Sequence, residues 1–129
     1  MLDSIALILG TALMYSTPLI FTSLGGVVSE NSGVINIGLE GMMVVGAFTG
    51  AAIGYFTGNP WLAFLLAGFA GGLFGLLHAI ACVTFNANQI VSGIAIIFLG
   101  PGLSLFLSRI FFSGATMTLS IDLNNKMPR

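Results

Sequence analysis

An all-α, polytopic membrane helix bundle of about four transmembrane helices is the fold class that three observations predict. The chain has 129 residues, 57% of them apolar, with four acidic and three basic residues; a soluble domain of this length would carry roughly thirty charges. No Asp, Glu, Lys or Arg stands between Glu40 and Arg109. Apolar runs of about twenty residues, enough to cross the hydrocarbon core of a bilayer, alternate with Gly, Pro and Asn punctuation. A disordered chain would be polar rather than apolar, and a soluble surface needs far more charge. Strands would need segments of about ten residues alternating in polarity, and Leu62-Ala63-Phe64-Leu65-Leu66-Ala67 does not alternate. So few basic residues also exclude nucleic acid as a partner; the partner common to every span is the lipid bilayer.

The first span covers about residues 5–24, broken softly by Thr17-Pro18. No Lys or Arg precedes it, as a signal peptide would require, so it is expected to be retained as a span. The second runs over 41–57 and stops before the turn Gly58-Asn59-Pro60. The third begins at Trp61, a residue favoured at membrane interfaces, and continues to about residue 84. After the polar knot Asn86-Ala87-Asn88-Gln89 the fourth covers 90–112. Gly100-Pro101-Gly102 in its middle predicts a kink or a discontinuous helix, because proline removes a backbone hydrogen bond. Residues 113–129 are polar enough to lie outside the bilayer. The single cysteine, Cys82, excludes an internal disulfide and reads as a small buried hydrophobe.

Gly46, Gly50, Gly54 and Gly58 recur every four residues along one face of the second span, and Gly68, Gly71, Gly72 and Gly75 mark the third. In lipid, helices associate by close van der Waals contact, so these stripes predict tight helix packing, through Gly68 and Gly72 on the third span. Space for a translocation path is the other reading of the same glycines.

Between the first two spans, Ser29 to Gly33 reads as a solvent-facing turn. From Val34 to Gly41, Asn36, Gly38 and Glu40 alternate with Ile35, Ile37 and Leu39. That period of two predicts a non-helical or re-entrant stretch, which is tolerated at membrane depth only inside protein or along a wet cavity. Glu40 either favours the helix N-terminus through the dipole or faces an aqueous path with Asn36. His78 reads as a neutral histidine bonded to a neighbouring helix, Arg109 as snorkelling to the interface, and Ser92, Ser104 and Ser108 as bonding their own helix backbone. No phosphate loop, metal-ligand cluster or paired carboxylates occur, so neither cofactor nor enzymatic activity is expected.

Two stretches carry a resemblance. Thr17-Pro18-Leu19-Ile20-Phe21-Thr22-Ser23-Leu24-Gly25-Gly26, followed by Ser29-Glu30-Asn31-Ser32-Gly33-Val34-Ile35-Asn36-Ile37-Gly38-Leu39-Glu40-Gly41-Met42-Met43, is similar to the permease subunits of bacterial nucleoside and simple-sugar ABC importers. So is Phe85-Asn86-Ala87-Asn88-Gln89-Ile90-Val91-Ser92-Gly93, which matches that family's loop before a further span. The resemblance covers about residues 17–107. It implies part of an ABC importer permease fold in the bacterial plasma membrane. The implied partners are a second permease subunit, a separate ATP-binding subunit, and a substrate-binding lipoprotein or periplasmic protein. It makes Asn36, Gly38 and Glu40 the candidates for lining the substrate path and carries over no catalytic residue.

Members of the family are more than twice this length, and the coupling region that grips the ATPase lies downstream of the matched part. A shortened permease is therefore expected. The resemblance also places the loop at 86–89 in the cytoplasm and both chain ends outside, whereas Lys126 and Arg129 under the positive-inside rule point the other way. A small oligomeric channel, or a non-transporting scaffold assembled through the glycine stripes, remains the alternative to a permease.

Overall fold

The computed structural model describes residues 2–121 and residue 126; the rest of the tail, Arg129 included, lies outside the described residues. The described residues form four helices: α1 (Leu2–Asn31), α2 (Leu39–Thr57), α3 (Pro60–Ala79) and α4 (Gln89–Phe111). A short π-helical segment, Ile80–Thr84, extends α3. All four are long and apolar enough to cross a membrane.

Local chemistry sets their ends. Asn59 caps α3, its Oδ1 accepting from the backbone N–H of Trp61 at 3.0 Å and of Leu62 at 3.2 Å, with Pro60 opening the helix. Asn88 caps α4 in the same way, through Ile90 and Val91. Gly58 terminates α2 in the left-handed region at φ 64°, its N–H donating to the Gly54 carbonyl. Gly58 is thus the cap of α2.

α1 departs most from the expected span. It continues past Gly25-Gly26 to Asn31, and the turn expected over 29–33 shrinks to Ser32 and Gly33, the latter at φ 86°. At 30 residues it is about 45 Å long, more than the hydrocarbon thickness, so it protrudes or tilts. Five of its hydroxyls are satisfied within the helix: Thr11, Ser16, Thr17 and Thr22 each donate to the carbonyl four residues back, and Ser23 to that of Ile20. α1 leans only lightly on the rest, with Leu39 against Gly26 and Met43 against Thr22.

α2 is the hub. Toward α3, a Cβ on Gly46 would lie 3.2 Å from the Ala67 carbonyl oxygen, and one on Gly50 3.3 Å from the Ala67 Cβ. On α3 the contact falls on Gly71, facing the Met42 carbonyl, and Gly75, facing the Met42 Sδ. Gly68 and Gly72, expected to pack, have no described neighbour within 4 Å of a Cβ position. Gly68 instead borders a cleft of about 430 Å³ between α1, α2 and α3. Toward α4 the approach is tighter. A Cβ on Gly41 would lie inside the Ile96 carbonyl group, and one on Gly100 would lie 2.9 Å from the Gly41 Cα.

α4 is one continuous helix through Pro101, so of the kink or discontinuity expected there the discontinuity does not occur. Gly93, Ile96, Gly100, Ser104 and Ser108 form its buried stripe on both sides of the proline, while Pro101 is exposed. The two helix halves are therefore held by the same partner. Near the Gly58 end, Phe112 stacks on Phe56 with ring centroids 5.5 Å apart and meets Tyr55 edge-on. The chain then turns back, so that Ile121 rests against Gly54 of α2.

The Gly100→Ala variant is expected to lose about 1–3 kcal/mol, since backbone, not a flexible side chain, fills the space its methyl needs. Gly72→Ala, with open space at the same position, is expected to be neutral or more stable. Thermal retention of the folded protein in detergent distinguishes the two; equal behaviour would contradict the packing described.

Candidate functional site

At one end of the bundle, the link between α1 and α2 meets the last turn of α3 and the start of α4. After the turn at Gly33, Val34 to Asn36 is irregular, Ile37 and Gly38 turn, and helix resumes at Leu39. The alternating pattern therefore falls on a short non-helical link between α1 and α2, with helix already resumed at Glu40.

α4 and α3 hold this link by its backbone. Gln89, the first residue of α4, accepts from the Ile35 N–H through Oε1 at 2.7 Å and donates from Nε2 to the Gly33 carbonyl at 3.3 Å. His78, in the last turn of α3 and 1% exposed, sets Nε2 3.2 Å from the Ile35 carbonyl oxygen and Nδ1 2.9 Å from the Ser92 hydroxyl of α4. A carbonyl only accepts, so Nε2 carries a proton; in the neutral ring Nδ1 then accepts from Ser92. Cys82 in the π segment is buried, its Sγ 3.7 Å from Nε2 and 3.8 Å from Nδ1.

The three path candidates take different positions. Asn36 is half-buried, its Nδ2 donating only weakly to the Met42 Sδ at 3.7 Å. Its Oδ1 is buried and has no hydrogen-bond partner among the described residues. Glu40 is exposed in the first turn of α2, where the helix dipole favours a carboxylate. Gly38 is buried in a helix contact: a Cβ there would lie 3.1 Å from the Ile96 Cβ and 3.3 Å from the Gly93 carbonyl oxygen. Its small size lets α2 start against α4.

The serines also differ from expectation. Ser92 bonds His78, Ser108 donates to the Ala115 carbonyl at 3.2 Å, and the buried Ser104 hydroxyl has no partner among the described residues. None is seen to bond its own helix: Ser104 and Ser108 lie on the buried stripe that faces other elements, and Ser92 faces His78. Arg109 is exposed near the end of α4. Among the described residues no group of three His, Cys, Asp or Glu side chains comes together. Gln89 was legible only as part of a polar knot. Its role depends on a partner 54 residues away in sequence, which no local pattern reports.

Residues 8–123 match the family described as branched-chain amino acid transport system / permease component. The chain is 47% identical over 117 residues to the guanosine ABC transporter permease protein NupQ of Bacillus subtilis, covering 86% of this chain and 37% of that protein. It is 40% identical over 124 residues to the nucleoside ABC transporter permease protein NupC of Lactococcus lactis, covering 92% and 39%. A putative glucose ABC transporter permease protein of Haloferax volcanii, TsgC13, is 38% identical over 99 residues, covering 77% and 30%. The chain thus spans less than two fifths of the length of these relatives. No solved structure matches it.

Gln89→Leu removes the partner of the Ile35 amide. With a net hydrogen bond at about 1 kcal/mol, the Ile35 N–H is expected to exchange with deuterium about fivefold faster, while amides in the middle of α2 keep their rate. An unchanged Ile35 rate would contradict the bond.

Proposed function

The chain belongs to the branched-chain amino acid transport system / permease component family, and from that premise we propose that it forms part of the translocation path of an ATP-driven nucleoside importer in a bacterial plasma membrane. The observation that carries this reading is the 47% identity to a guanosine permease over 117 residues. The partners are an ATP-binding subunit that hydrolyses the nucleotide, a second permease subunit, and a substrate-binding lipoprotein or periplasmic protein.

The geometry supports a path for an uncharged solute. No acidic or basic residue lies between Glu40 and Arg109, so α3 and nearly all of α2 and α4 offer no charge to an ion. Asn36 offers a buried carbonyl oxygen without a partner, suited to accept from an N–H or O–H of a passing nucleoside. In this reading Asn36 and Glu40 face the path. Gly38, Gly46 and Gly50 serve the helix contacts that hold it. α1, apolar and unburied along its length, faces lipid or further permease helices.

Uptake of labelled guanosine by cells expressing the chain together with its partner components tests the proposal. Deletion of the chain is expected to abolish ATP-dependent uptake, with unlabelled nucleosides competing and glucose not. Asn36→Ala is expected to raise KM up to about tenfold, the loss of one hydrogen bond. Competition by glucose in place of nucleosides would assign the sugar substrate, and uptake that survives deletion would overturn the function.

A further inference from the structure

We propose that His78 and Gln89 are positioning residues that set Asn36 in the path by clasping the backbone immediately before it. The proposal rests on the reading of Asn36 as a path residue. The Ile35 carbonyl belongs to the peptide group that also carries the Asn36 N–H, and His78 Nε2 lies 3.2 Å from that oxygen. Gln89 takes the Ile35 N–H at 2.7 Å. Both faces of Ile35 are therefore tied, one to the end of α3 and one to the start of α4. The Asn36 side chain has no comparable anchor, only the weak contact to the Met42 sulfur. Its position follows from where the backbone is held.

The His78 ring is itself fixed from three elements. Ser92 of α4 bonds Nδ1, Ile35 of the α1–α2 link takes Nε2, and Cys82 of the π segment lies against the ring one turn along. The π segment starts two residues after His78, and such segments widen the backbone locally and cluster at functional positions. A shift of the α3 end relative to α4 cannot leave both bonds to Ile35 intact. Movement between these helices therefore reaches Asn36 directly.

The test uses a cysteine reporter in the membrane-embedded complex. Cys82, the single native cysteine, is replaced by Ala, and Asn36→Cys is labelled with N-ethylmaleimide. Thr57→Cys, at the opposite end of the bundle, serves as a second reporter in a separate chain. Adding His78→Ala is expected to speed labelling at position 36 about fivefold, the loss of one hydrogen bond, and to leave position 57 unchanged. His78→Gln keeps an N–H donor close to the place of Nε2 and is expected to restore the slow rate. Equal labelling at position 36 with His, Ala and Gln at 78 would overturn the proposal. So would faster labelling at both reporters, which marks a loosened bundle.

In the chain with Asn36 and Cys82 intact, His78→Ala is expected to raise the KM for guanosine and leave the maximal rate unchanged, with His78→Gln restoring KM. A fall in maximal rate alone would count against positioning. Should labelling follow the expected pattern while Asn36→Ala leaves KM unchanged, the clasp stands and the path reading of Asn36 fails.

Discussion

The fold depends on the backbone contact between α2 and α4 at Gly41 and Gly100. Inside a bilayer, apolar side chains gain little by exchanging acyl chains for one another, so helices hold together where their surfaces meet closely. Gly41 faces the Ile96 carbonyl and Gly100 faces the Gly41 backbone, with no room for a methyl on either. About one turn before Gly41 and two turns before Gly100 the contact continues through Gly38 and Gly93. This register brings the first turn of α4 beside the link that precedes α2. Only then can Gln89 and Ser92 reach the Ile35 backbone and the His78 ring.

The second constraint is that polar groups in lipid must find partners within the chain. Thr11, Ser16, Thr17, Thr22 and Ser23 of α1 bond their own helix, the Asn59 and Asn88 side chains cap helix ends, and His78 satisfies both ring nitrogens. Against that background the Asn36 Oδ1 stands out as a buried acceptor without a partner among the described residues. It lies within the irregular stretch between α1 and α2, and on that ground it is the residue we propose for the path. Ser104 shares the lack of a partner but sits within the buried stripe of α4, away from any such opening.

Much of the architecture was legible because its signals are local. Gly58-Asn59-Pro60 and Asn86-Ala87-Asn88-Gln89 hold the cap residues, and α2 and α4 begin and end within two residues of where punctuation placed them. α1 was read short because Gly25-Gly26 and Ser29-Glu30-Asn31 look like breakers. Beyond the hydrocarbon, water solvates such residues and the helix can simply continue. The third-span glycines show the limit of spacing arguments. Gly68 and Gly72 share one face and Gly71 and Gly75 another, and nothing in their spacing says which face meets α2. Pro101 did not interrupt α4, because the buried stripe on the opposite side holds both halves to one partner.

By itself, then, the sequence determined the lipid environment, the number of helices and the positions of their caps, since these follow from hydrophobicity and from hydrogen bonds a few residues long. The segment Asn36 to Gly41 was also visible as unusual, through its period of two. Tertiary structure alone decided which glycines touch, that Gly38 packs while Asn36 keeps a free acceptor, and that His78 and Gln89 converge on Ile35 from 43 and 54 residues away. Those outcomes depend on the rotation and register of one helix against another. Close contact between backbones sets both, and the pattern along a single helix does not record them.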